Sequence, residues 1–449
     1  MLLTKWLNRF VAILHRIAIK CNKESVMNNN ERFDLSDNLI HFFRAIDPDD
    51  GSIPVCLDDW GMTNIEEGGV LYPLFLLRTS IRYNVLWSTW SYRGGKRTVY
   101  GPNPAVCFTE MPIAAFLETA QMRSKNGEKI SSYAFIFDKK QMFQLGARPV
   151  IYGLSVDVSL PIGNGGCARI FDESILPLAE QYRYVTYNPV GQYCVDWTHE
   201  REWRWPHTKP TDTYEKELEQ YGCVDDPSVV PGLWSTTSSL ENIGIIVKSE
   251  DEKEKVLYDI LCLIYRKTIS PQKYNYIICY DAITDLVKLR DFGESKKIIE
   301  SSKIFIDSFL EKNTTLADNT IRHIAELEKK IDEKYEFEEV HENGKCWLWL
   351  YDFFDEKVRS MLNEEYLKVN KDGKILYELM HISNARDLRQ QETMVEMLAA
   401  CVKSELGIEC GYFSVRDIGN PYDMDSVPFY NSTILDERLD ALYYNYNRA

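Results

Sequence analysis

Two segments far apart in the chain carry polar groups where a strand would ordinarily be apolar. Leu39-Ile40-His41-Phe42-Phe43-Arg44 holds a histidine, and Thr198-His199-Glu200-Arg201-Glu202-Trp203-Arg204-Trp205 holds two carboxylates. Strand alternation sets His41 beside Leu39 and Phe43, with Arg44 opposite. The same alternation sets Glu200, Glu202 and Arg204 on one face, and His199, Arg201, Trp203 and Trp205 on the other. A neutral imidazole can hydrogen-bond a ribose hydroxyl. Of two neighbouring carboxylates, one can stabilise an oxocarbenium-like centre while the other orients or deprotonates an attacking group. Their mutual repulsion tends to raise one pKa, which suits a base. Between these segments, Tyr92-Arg93-Gly94-Gly95-Lys96-Arg97 joins glycines to three positive charges that suit a diphosphate. The run from Arg97 through Tyr100 then leads into Ala105–Glu110. His41, Arg97, Tyr100, Glu200 and Glu202 are therefore candidates for holding a dinucleotide and breaking its glycosidic bond. Each has a plainer alternative: a satisfied core histidine, a solvent-exposed basic turn, or a surface ladder of charges worth little energetically. Glu110 suits either a cleft or a helix start. Trp87, Trp90 and Tyr92 suit either a stacking platform or a core.

Short strands must position these groups. Gly, Pro and Asn punctuate the chain from 38 to 206, giving strands at 39–43, 104–109, 132–137, 149–156, 183–187 and 199–205. Helices are expected at about 68–90 and 111–123, the second opening at Pro112. Strands interspersed with helices in this way predict α+β, with a mixed sheet in the N-terminal domain. Residues 207–240 read as a proline-bearing linker. Beyond it, 241–335 reads as an α/β and helical region, with strand–helix–strand at 243–247, 253–266 and 274–280 permitting a parallel unit. Residues 336–449 read as a C-terminal α+β domain. Its strands fall at 344–350 and 410–415, its helices at 354–364 and 386–406, and a hairpin turns at Lys371-Asp372-Gly373.

At 449 residues the chain needs more than one ordinary core, and 45% hydrophobic residues suffice to build it. Residues 1–207 balance 22 Lys/Arg against 22 Asp/Glu, so the formal charge of −16 belongs entirely to residues 208–449. An acidic C-terminal region argues against broad binding of nucleic acid, though nucleic acid as an acceptor stays open. It suits a basic partner protein or a solvated surface. Eleven cysteines without a C-x-x-C pair or zinc-spaced histidines read as reduced thiols in a cytoplasmic protein. No G-x-G-x-x-G, P-loop, G-x-S-x-G or H-E-x-x-H occurs. Residues 1–26 read as a basic amphipathic helix or extension. Leu3, Leu7, Phe10, Leu14 and Ile17 are spaced for membrane-surface contact through 1–20 or for docking, and Met27 is an alternative start.

Residues 38–206 resemble the AbiG-type abortive-infection proteins and, more distantly, the DarT-type ADP-ribosyltransferases of bacterial defence. The matching pieces are "HFF" near Leu39–Arg44, "PAVCFTEMPI" at 104–113, "ARPVIYG" at 147–153 and "EREWR" at 200–204. The resemblance implies an ADP-ribosyltransferase-like fold that uses NAD as substrate. His41 would be the ribose anchor, Glu202 the catalytic carboxylate, Glu200 its substrate-orienting neighbour, and Arg97 the basic residue ahead of the following strand. The family's H-x-T is His41-Phe42-Phe43 here. "GKCWLWLYDF" at 344–353 and "GYFSVRD" at 411–417 are similar to an uncharacterised domain that follows such modules. An effector of anti-phage defence with an antitoxin or defence-system partner is one implied role. A non-catalytic antitoxin or sensor with a degenerate cleft is the other.

Overall fold

The computed structural model describes residues 34–46, 70–416 and 430–432, apart from 94–95, 129, 156–168, 191–193, 222–223, 225, 236–238, 284–285, 338–340 and 371–372. The amphipathic segment 1–26, the glycines of the basic turn and the tip of the C-terminal hairpin lie outside the described residues.

The protein is mixed α+β. An eight-stranded sheet is built from β1 (Asn38–Phe42), β2 (Ala105–Thr109), β3 (Ala134–Asp138), β4 (Arg148–Pro149), β5 (Glu202–Pro206), β6 (Ile243–Val247), β7 (Tyr274–Cys279) and β8 (Lys303–Phe305). Their spatial order is β8-β7-β6-β3-β1-β2-β5-β4. Within this sheet only β6 and β7 run parallel; the other neighbours are antiparallel.

Alternation decides which side chains each layer receives. Leu39, Phe135, Phe137, Ile245 and Ile277 point to one face, under α1 (Pro73–Tyr83) and α3 (Glu250–Tyr265). Ile40, Ile136, Ile246 and Ile278 point to the other, against α2 (Ile113–Lys125). Pro112 caps α2 rather than entering it. Helix α3 begins in a Ser249–Glu252 capping box, and the acids Glu250, Asp251 and Glu252 sit on the positive end of its dipole. It carries the chain from β6 over to the parallel β7, as the strand–helix–strand order allows.

The division drawn at 207–240 does not separate two sheets. β6 pairs with β3, Ile245 opposite Phe135, and so continues the sheet begun by β1. The physical reason lies in β6 itself: all five of its residues are buried, so both faces need cover, and only an interior position supplies that. The intervening stretch also holds a helix, Asp212–Tyr221, and a strand, Gly232–Trp234, which pairs with Val85–Trp87.

A second, antiparallel sheet is made of β9 (Gly344–Leu350), β10 (Lys368–Val369), β11 (Ile375–Tyr377), β12 (Cys410–Arg416) and β13 (Tyr430–Ser432), ordered β10-β11-β9-β12-β13. Helices α4 (Thr314–Asp332), α5 (Glu356–Asn363) and α6 (Leu388–Leu406) accompany it. Helix α4 belongs with this sheet and not with 241–335. Its fully buried Glu328 accepts hydrogen bonds from the Tyr377 hydroxyl and from the amides of Met380, His381 and Ile382.

The two sheets share one continuous hydrophobic core. Helix α3 is the joint: the Tyr258 hydroxyl donates to the Gly373 carbonyl at 2.9 Å, and Tyr265 donates to Asn363 Oδ1 at 2.8 Å. Tyr258→Phe strands that buried carbonyl and is expected to cost about 1 kcal/mol of stability in urea unfolding. An unchanged midpoint would show that the bond contributes nothing to the joint.

Candidate active site

The cleft opens where the sheet splits. β1 and β2 pair at a single position, Ile40 opposite Thr109. Beyond it His41 reaches across, with Nδ1 2.9 Å from the Cys107 carbonyl oxygen. Because a carbonyl only accepts, Nδ1 carries the proton and Nε2 is left as an acceptor. Burial lowers the pKa of this imidazole to about 4, even though the Cys107 carbonyl favours the charged form. At neutral pH the ring is therefore uncharged, and Nε2 can accept a hydrogen bond.

The splay lets residues from both faces of the sheet line one cavity of about 540 Å³, within the usual range for small-molecule sites. His41, Tyr100, Glu200 and Glu202 all line it. Arg97 does not. It sits in a short hairpin, Tyr92–Arg93 against Lys96–Arg97, with its guanidinium 3.9 Å over the Trp90 ring and Nε donating to the Tyr92 hydroxyl. Trp90 is core, whereas Trp87 reaches the cavity. Glu110 is turned away, bound by Lys139 Nζ at 3.0 Å and Trp203 Nε1 at 2.7 Å.

The two carboxylates arrive by different routes. Glu202 and Arg204 share a face of β5 by simple alternation, and Arg204 lies opposite Cys107. Glu200 instead sits in a 3₁₀ turn, Thr198–Glu200, followed by Arg201 in the left-handed region at φ 46°. The Thr109 hydroxyl holds the turn by donating to the Glu200 carbonyl at 2.5 Å. The expected continuous strand over 199–205 thus begins only at Glu202.

Each carboxylate has its own guanidinium, so the repulsion anticipated between them is relieved by pairing. Arg204 grips both oxygens of Glu202, at 2.7 and 3.3 Å, and its remaining nitrogen donates to the carbonyls of Tyr182 and Tyr184. Burial works against the Arg204 charge, but Glu202 more than compensates and raises its pKa. Arg123, from the last turn of α2, pairs with Glu200 and with Glu128. The Cys107 thiol beside Glu202 is pushed up to about 12 by burial, with the carboxylate adding to the effect, so it stays protonated.

Among the described residues Arg44, Arg123, Arg169 and Arg204 line the cavity against Glu200 and Glu202, an excess of positive charge in an acidic protein. Sequence reasoning passed over Arg123 and Arg169. The only trace of Arg123 is a basic residue at a helix end, and Arg169 leaves none. Among the described residues no cluster of His, Cys, Asp and Glu is arranged to hold a metal ion. Nor is any described helix long and apolar enough to cross a membrane.

Residues 311–446 match DUF4427, a family of proteins of unknown function. The match takes in α4 to α6 and the five-stranded sheet, none of which lines the cleft. Comparison with curated proteins and with solved structures gives no match.

The imidazole offers a pH test of this geometry. The unfolded ring titrates near 6.5 and the folded one near 4, so above pH 6.5 neither state binds the proton. As pH falls through that window only the unfolded chain protonates, and stability is lost until about pH 4. His41→Gln is expected to flatten this part of a pH series of urea melts. Equal slopes for both proteins would remove the half-buried neutral histidine from the account.

Proposed function

We propose that the cleft takes NAD as substrate and that the chain is a cytoplasmic ADP-ribosyltransferase-like effector of bacterial defence, passing ADP-ribose to a macromolecular acceptor. The observation carrying this reading is convergence: His41, Tyr100, Glu200 and Glu202 line one cationic cleft of nucleotide size. His41 Nε2 accepts from a ribose hydroxyl, and the arginine-lined wall faces the diphosphate. Glu202 stabilises positive charge developing at the anomeric carbon as the bond to nicotinamide breaks, its electron pair leaving with the ring nitrogen. The acceptor then bonds to that carbon and yields its proton to Glu200. The test is nicotinamide release from NAD by the purified full chain, with and without added RNA, DNA or lysate. Growth arrest on expression is the cellular counterpart.

One observation favours the second reading. Both carboxylates are already neutralised by arginines, as in a degenerate cleft. The chain would then be an antitoxin or sensor of a defence pair, harmless alone, with its acidic C-terminal region docking a partner protein. Neither NAD consumption nor NAD binding, together with normal growth on expression, selects it.

A further inference from the structure

The arginines of the cleft are not equivalent. Arg204 is committed to Glu202, and Arg123 to Glu200 and Glu128. Arg169 meets no carboxylate among the described residues. Its Nη1 donates to the Tyr100 hydroxyl at 3.2 Å, and its guanidinium stands 5.4 Å from the Tyr100 ring. The same cavity is also lined by the hydroxyls of Thr89, Ser91, Thr98 and Thr186, and Tyr100 Oη lies 3.1 Å from Thr186 Oγ1. A guanidinium that meets a hydroxyl and, among the described residues, no carboxylate has the chemistry that binds phosphate oxygens.

The surrounding structure is built to hold Arg169 in place. Its carbonyl accepts from the Gly101 amide at 2.8 Å. Phe171, two residues on, stacks on Tyr100 with ring centroids 4.7 Å apart. Fully buried Gln181 then fixes Phe171 through both its amide and its carbonyl, each at 2.9 Å, and donates to the Leu176 carbonyl at 2.8 Å. Gly101 has φ +78°, and a Cβ there would stand 2.7 Å from Gln181 Cβ, so the close approach requires glycine.

We infer that Arg169, oriented by Tyr100, is the diphosphate-binding cation of the cleft, in the place that the basic turn at 93–97 held in the sequence. The inference rests on the proposed reading for the nucleotide, but not for the bond that is broken.

Calorimetric titration of the full chain with ADP and with inorganic pyrophosphate tests it. Wild type is expected to bind ADP, and Arg169→Gln to raise the Kd at least tenfold, with Arg169→Lys falling between because the planar fork is lost while the charge is kept. Tighter binding of ADP than of pyrophosphate marks the nucleotide as the source of the diphosphate; equal binding marks a free diphosphate site. Equal ADP affinity in wild type, Arg169→Gln and Arg169→Lys overturns the inference, as does failure of wild type to bind either probe. A loss in Arg97→Gln instead of Arg169→Gln overturns it too. Arg169-dependent ADP binding without nicotinamide release would end the transferase reading alone. NAD cleavage with an unchanged KM in Arg169→Gln would end this inference alone.

Discussion

Glu202→Gln is expected to reduce nicotinamide release by about 10²- to 10³-fold, the scale of losing one preorganised electrostatic group in a shielded site. Glutamine keeps the shape of the side chain and retains a carbonyl oxygen for Arg204 Nε, which donates at 2.7 Å in the wild type. What it loses is the negative charge to which the proposed reaction assigns stabilisation of the anomeric carbon. Loss of rate with an unchanged melting profile therefore separates chemistry from folding. Glu202→Ala is a poorer test, because it also removes the acceptor oxygen that Gln keeps for the buried Arg204. A Glu202→Gln protein that cleaves NAD at the wild-type rate removes this carboxylate from the reaction, whatever the cleft binds.

Asp259→Ala is expected to destabilise the protein by about 3–5 kcal/mol, the usual consequence of stripping one partner from a buried ion pair. Asp259 is only 2% exposed and receives two arginines from α1. Arg78 donates through Nε at 2.7 Å and Nη2 at 3.1 Å, and Arg82 through Nε at 2.8 Å. Removing the carboxylate leaves two guanidiniums facing each other under the sheet. Because α1 packs against α3 under the same face of the large sheet, the joint to the C-terminal sheet should loosen with it. Denaturant unfolding checks the energy, and a loss below 1 kcal/mol would mean that water or a shifted helix takes over the charge.

Much of the secondary structure was legible in the sequence, for a local reason. Ile243–Val247 and Gly344–Leu350 are apolar runs with sharp polar ends, and they fold as strands over those same residues. The hairpin flanking Gly373 follows from turn chemistry within a few residues. Sheet membership was not legible. Nothing near Ile243 states that its strand lies beside Ala134–Asp138, because that choice depends on which apolar faces, brought from elsewhere, remain uncovered.

The site divides along the same line. Alternation on β5 by itself determined that Glu202 and Arg204 share a face, and the polar histidine in an apolar strand by itself marked β1. Tertiary structure alone decided that the strands splay after Ile40 and Thr109, so that both faces contribute to one cavity. It also decided that Glu200 arrives on a 3₁₀ turn, that Arg97 stacks on Trp90 outside the cleft, and that Arg169 stands inside it. Burial periodicity is set by neighbours two to four residues away and can be read along the chain. A guanidinium's partner is set by whatever carboxylate or hydroxyl the fold brings within about 3 Å, and only the folded chain specifies that.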